Sequence, residues 1–221
     1  MRHFINKKIF FVIIAFILML QPVLTKASST SNASSVKEKA KIVFTDLKKV
    51  PWAEKAIEKL LAKGIIKGNA EKRYYPERDI TRGEFVGMLI KVLGLNADFT
   101  DNFTDVQKYD EYYQQLGTAK ALGIIQGESC NRFRPKDPIL RQDMMVYSTV
   151  ALGVAKKLRK TVSVKVLDKY EDKYETSCYA FNSSATLVGE GLIVGCKNKL
   201  NSHSNASRAS AAVLLYRIMK L

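Results

Sequence analysis

From Pro51 onward apolar residues return every three or four positions. Trp52, Ala53, Ala56, Ile57, Leu60 and Leu61 have the spacing of one face of an amphipathic helix. The pattern stops at Gly64, in "KGIIKG", which suits the residue just past a helix end. A loop containing Gly, Asn and Pro follows, with Tyr74 two positions before Pro76. Helical spacing then resumes with Phe85, Met88, Leu89, Val92 and Leu93, and Gly94 can end it. Thr81-Arg-Gly-Glu84 just before that run is a capping-box pattern, in which Thr takes a backbone N–H and Glu reaches back. The reading is a helix, a loop and a second helix starting at Thr81.

The same pattern recurs. The stretch from Phe44 to Phe85 aligns without a gap on the stretch from Phe103 to Met144. Phe44, Asp46, Gly64, Gly68, Pro76 and Arg82 meet Phe103, Asp105, Gly123, Gly127, Pro135 and Arg141, a constant shift of 59. A worn third copy follows. Tyr170 and Asp172 stand for Phe44 and Asp46, Gly191 to Gly195 ("GLIVG") for "GIIKG", and "SRASAAVLLYRIMKL" for "TRGEFVGMLIKVLGL", with Arg208 in place of Arg82. Its loop is one residue shorter, and Ser202 replaces the proline. Copies two and three differ at the second helix start: Asp137-Pro138 offers an Asp cap with Pro at the first helical position, and Leu140 cannot replace Thr81. Ser207 can cap, but Ser210 stands where Glu84 stands in copy one. Two helices of this size cannot bury their apolar faces alone, whereas three copies packed together can. The predicted fold is therefore all-α, with repeats over residues 44–95, 103–158 and 165–221.

Charge narrows the role. The 221 residues carry a net charge of +15, which points to an anionic partner such as nucleic acid, acidic lipid or acidic polysaccharide. The N-terminus selects among these. Arg2, Lys7 and Lys8 precede a wholly apolar run, Ile9 to Leu20, and then a stretch of small residues. Residues 1–27 read as a secretory signal peptide, cleaved after Ala27 or Ala33, with 28–43 as a linker. The rival is an uncleaved membrane anchor, for which the run is short against the roughly 20 residues of a span. Cleavage after Ala27 removes four of the 36 cations and no acid, leaving 32 against 21, or +11. An exported basic protein meets wall polymers or membranes rather than nucleic acid. The lysine-rich stretches "VKEKAKIV" and "KKLRKTVSVKVLDK" read as solvated linkers.

Three cysteines, Cys130, Cys178 and Cys196, are an odd number for an exported chain, so at least one is free or pairs between chains. One intrachain disulfide stays open, its partners unreadable from sequence. Their spacing fits no zinc-ligand pattern, and no cofactor is implied. Glu84 and Asp143 occupy one repeat position, one acid per copy, which is not a general acid–base pair. There is no Ser-His-Asp set and no phosphate loop. The chain reads as a non-enzyme.

"FTDL…WAEKAIEKLLAKGIIKG…YYPERDITRGEFVGMLIKVLGL" closely resembles a surface-layer homology (SLH) domain; copy two is similar, and copy three looks like a diverged member. "ITRGE" is near the family's Ile-Thr-Arg-Ala-Glu, with "ILRQD" and "ASRAS" as departures. The resemblance implies three repeats packed as a pseudo-threefold, all-helical prism with grooves between them. It also implies a secreted protein of the bacterial cell wall or S-layer. Such a protein is held non-covalently by secondary cell-wall polysaccharide, typically through a pyruvylated amino sugar. The motif arginine carries over to Arg82, Arg141 and Arg208, and the motif threonine and glutamate to Thr81 and Glu84. A helix start offers unpaired N–H groups and partial positive charge, and an arginine adds a fork suited to a carboxylate. Arg82 is thus expected to bind the pyruvate carboxylate; the competing reading is a structural arginine paired with an acid of the next repeat. Trp52 either stacks on a sugar or packs in the core. Gly68 and Gly127 are turn glycines that also let a ligand approach the backbone. Asp46, Asp105 and Asp172 read as capping or lead-in residues. Other surface proteins are the alternative partners, contacted through the diverged third repeat. A membrane contact would come only through an uncleaved signal segment.

Overall fold

The helical spacing of each copy becomes two helices, joined by a loop that belongs as much to the neighbouring copy as to its own. The computed structural model describes residues 44–159 and 161–221; the expected signal peptide, 1–27, and the expected linker, 28–43, lie outside the described residues. The helices are α1 (Pro51–Ala62), α2 (Arg82–Leu93), α3 (Tyr113–Ala121), α4 (Arg141–Val154), α5 (Cys178–Gly189) and α6 (Arg208–Met219). With no named strand among the described residues, the all-α class holds.

Local chemistry sets the helix ends. Pro51 opens α1, where its missing N–H costs nothing. Past the first helix of each copy, Gly64, Gly123 and Gly191 adopt φ of +69°, +67° and +75°, the left-handed turn that glycine takes without strain. At α2 both halves of the capping box form: Glu84 N–H donates to Thr81 Oγ1 and Thr81 N–H to Glu84 Oε2. Ser207 caps α6 by accepting from Ser210 N–H. Copy two departs from the sequence reading. Asp137 does not cap and Pro138 does not open the helix; α4 starts at Arg141, after a Leu140 that caps nothing with its side chain. Asp137 and Pro138 are spent on copy one instead. The Asp137 carbonyl accepts from Arg82 N–H, and Pro138 pairs with Thr81.

The copies close on one another in a cycle. α2 packs on α3, α4 on α5, and α6 on α1, so each helix pair takes one member from each of two copies. Three backbone hydrogen bonds close a ring at the centre: Ile139 N–H to Ile80 O, Ile80 N–H to Ala206 O, and Ala206 N–H to Ile139 O. Ile80, Ile139 and Ala206 are fully buried at equivalent repeat positions. One continuous core holds Ile57, Leu60, Phe85, Leu89, Leu116, Met144, Leu187 and Leu215 from all three copies. Burial of side chains of this size contributes roughly 1.5–3 kcal/mol each, which no single copy could gather. Trp52 is not among them. It is 60% exposed, and α1 turns Ala53, Ala56, Ile57 and Leu60 inward instead.

Candidate functional site

The lead-in aspartates set the loops. Asp46 accepts from Tyr74 N–H and Tyr75 N–H at 3.1 and 2.8 Å. Asp105 accepts from Phe133 N–H and Arg134 N–H at 2.9 and 2.8 Å. Asp172 accepts from Leu200 N–H and Asn201 N–H at 2.8 and 2.7 Å. None of the three caps a helix through its side chain; each staples the loop some 28 residues downstream. The second stapled residue, Tyr75, Arg134 or Asn201, is held at positive φ in every copy.

The stapled loop then receives the second helix of the preceding copy, copy three preceding copy one in the cycle. Arg82 N–H and Gly83 N–H donate to Asp137 O and Pro135 O. Arg141 and Gln142 donate likewise to Ser204 O and Ser202 O, and Arg208 and Ala209 to Arg78 O and Pro76 O. These first donors of α2, α4 and α6 are the groups expected to wait for an anion. They are spent on holding the copies together, because the loop carbonyls of the neighbour sit directly in front of them. Electropositive helix starts therefore do not form the site.

The motif arginines repeat one contact and differ in the rest. Nε donates to the carbonyl of Phe133 from Arg82 (3.1 Å), of Leu200 from Arg141 (3.0 Å), and of Tyr74 from Arg208 (2.9 Å). Arg82 stacks over Phe133 at 4.7 Å, donates to Tyr147 Oη at 2.7 Å and pairs with Asp143 at 3.6 Å. Tyr179 lies across that junction, donating to Asp143 Oδ1 at 2.6 Å while accepting from Gln142 at 2.8 Å. Arg208 stacks over Tyr74 at 4.4 Å and pairs with Glu84 at 3.1 Å, a carboxylate that also holds Arg78. Arg141 has Leu200 where the others have a ring and Ser210 where they have an acid. Its terminal nitrogens meet no carboxylate among the described residues. Burial pulls its pKa below the usual arginine value, opposed by Cys196 and Asp172 nearby; a guanidinium so shifted is still a cation at neutral pH.

Clefts open beside Arg208 and Arg141. The cleft at Arg208, about 370 Å³, is lined by Gly68, Tyr75, Arg78, Glu84 and Tyr112 among others. The cleft at Arg141, about 580 Å³, includes Trp52, Val194, Cys196, Ser210 and Arg217. Gly68 and Gly127 owe their missing side chains to packing: a Cβ on either would meet the ring of Phe44 or Phe103. Thr81 and Glu84 are bound up in the cap described above. The three cysteines are exposed and none is joined to another. Sequence reasoning placed Tyr179 at the position of Trp52 but missed its bond to Asp143, and it missed Tyr147 and the use of the helix-start donors. Leu200, in contrast, was readable as the aromatic lost from the third loop.

The sequence pattern of the S-layer homology domain matches residues 43–86 and 102–145, the two copies that align without a gap. These two segments are S-layer homology domains. Among its relatives are Exoglucanase XynX of Acetivibrio thermocellus, 29% identical over 86% of this chain and 17% of that protein, and S-layer protein sap of Bacillus anthracis, 26% identical over 80% of this chain and 21% of that protein. Middle cell wall protein of Brevibacillus brevis is 27% identical over 45% of this chain and 10% of that protein. The chain spans a fifth or less of the length of the first relatives it matches. The family and these surface-layer and wall proteins place the chain at the bacterial cell surface.

Proposed function

We propose that this chain is a wall-anchoring module that binds secondary cell-wall polysaccharide non-covalently, at a pyruvylated sugar. In this reading residues 165–221 are the third, diverged S-layer homology repeat, beside 44–95 and 103–158, and residues 1–27 direct export. The observation that carries it is the arginine at each junction, held by the same Nε contact in all three copies. A guanidinium fixed at one nitrogen keeps its remaining donors aimed in one direction, which suits a carboxylate. The anion contact lies among Arg82, Arg141 and Arg208, with Trp52 as a sugar platform and the loops of Gly68 and Gly127 as groove walls; Thr81 and Glu84 fix the helix start. Enzymes and S-layer proteins share this segment over a small part of their own length, which supports an anchoring role separable from catalysis. Sedimentation of the purified protein with bacterial walls, before and after chemical removal of the secondary polysaccharide, tests it. Binding lost on removal is the expected result; binding that survives removal and fades only with salt refutes it.

A further inference from the structure

The three junctions are not equivalent in charge. The reading just proposed treats their arginines alike; the present inference rests on it and divides them. We propose that, among the described residues, the Arg141 cleft is the one anion-receiving site, taking a carboxylate-bearing sugar, and that Arg82 and Arg208 are structural.

At two junctions the guanidinium already has a carboxylate. Asp143 stands 3.6 Å from Arg82 and Glu84 3.1 Å from Arg208. A ligand carboxylate arriving there competes with a group that gives up no translational freedom to bind and that repels it. Neither acid is free to swing away. Asp143 is held by Tyr179, and Glu84 by Thr81 N–H and Arg78. Arg82 and Arg208 also have an aromatic ring over one face.

Arg141 has neither constraint. Ser210 occupies the acid position, and its hydroxyl is turned to the Ser207 carbonyl. The cleft contains two arginines, Arg141 and Arg217, and no acidic residue among the described residues lines it. A partly buried cation with no carboxylate in contact is costly, and burial depresses the Arg141 pKa against the opposing pull of Cys196 and Asp172; a bound anion relieves that cost. The walls suit a sugar rather than a bare ion. Trp52 and Val194, 60% and 59% exposed, border the cleft. They offer an indole face and an apolar edge to the carbon face of a ring.

Equilibrium binding of isolated secondary wall polysaccharide, native and depyruvylated, to the purified protein decides the matter. The expected stoichiometry is one anionic end per chain. Arg141→Ala should weaken native polysaccharide about tenfold to a hundredfold, the range for hydrogen bonds to a charged group. Ser210→Glu should do the same while leaving Arg141 in place, and Ser210→Ala should bind as the parent does. Arg82→Ala and Arg208→Ala should lower the melting temperature but leave the affinity of the folded protein within about twofold. Should Arg141→Ala fail to fold, Ser210→Glu carries the test. Undiminished binding by Ser210→Glu, or a stoichiometry of two or three, overturns the inference. A parent protein that does not bind the native polysaccharide overturns the wall reading itself.

Discussion

Asp172 is the staple with most to lose. It is 5% exposed, and its two oxygens take Leu200 N–H at 2.8 Å and Asn201 N–H at 2.7 Å. Hydrogen bonds to a charged group contribute about 1.5–3 kcal/mol each, and a donor left unpaired in the interior costs its full desolvation. Asp172→Ala should therefore destabilise the protein by about 3–5 kcal/mol. For a domain of this size, about 2–4 °C of melting temperature goes with each kcal/mol, so the expected drop is about 6–20 °C. Asp172→Asn keeps one acceptor oxygen and should lose about half as much. Asp46→Ala and Asp105→Ala should cost less than Asp172→Ala, because the second donor of each pair, Tyr75 or Arg134, is exposed to water. Thermal melting by circular dichroism reads all four variants. The loop held by Asp172 also supplies Leu200 O to Arg141, so wall binding should weaken below the melting temperature as well. A drop under 3 °C for Asp172→Ala would refute the staple.

Burial raises the Tyr74 pKa from about 10 to about 12, with Arg208 pulling the other way. The unfolded chain releases this proton first, so stability that is intact below pH 10 falls as pH rises toward 12, by at most about 1.4 kcal/mol per pH unit from this group. Denaturant titrations at pH 9, 10 and 11 should show a shallower decline for Tyr74→Phe than for the parent; an equal decline counts against it. Gly64→Ala meets open space but needs φ near +69°, and should cost about 1 kcal/mol by chemical denaturation. Gly68→Ala must displace the buried Phe44 ring and should cost more; the reverse order would show that the ring yields easily. Trp52→Ala should weaken polysaccharide binding with little change in melting temperature, since Trp52 is largely exposed; a large loss of stability would place it in the core after all.

Much of this architecture is written in short-range chemistry. The apolar spacing that becomes α1 and α2, the Thr81–Glu84 box and the glycines that end the first helices are all local, and the repeat shows those glycines three times. What sequence could not show is where the repeats meet. Asp137-Pro138 has every mark of a helix start, yet its carbonyl and backbone serve α2 of another copy. Trp52 falls on an apolar stripe, yet the stripe's edge faces a cleft built from copies two and three. Asp46 looks like a cap because Asp often caps; its partners lie 28 and 29 residues on. Each misreading concerns a contact between segments distant in sequence, to which periodicity is blind.

That geometry changes what divergence of a repeat means. Each motif arginine belongs to one copy and works against the loop of the next. Arg208 comes from the worn third copy but rests on Tyr74 and Glu84 of the well-kept first. Arg141 comes from the well-kept second copy and faces the worn third, where Leu200 has replaced an aromatic and Ser210 an acid. The lost proline costs no joint: Ser202 O still receives Gln142 N–H, as Pro135 O receives Gly83 N–H, and the Ser202 hydroxyl is satisfied by Thr176 at 2.6 Å. The substitutions that make copy three look degenerate thus keep the frame and remove the ring and the carboxylate that neutralise the other two arginines. Restoring both, as Leu200→Tyr with Ser210→Glu, should convert the Arg141 junction into a copy of the Arg208 junction, with a higher melting temperature and weaker binding of native polysaccharide. A variant that gained stability and kept full affinity would show that the anion enters elsewhere.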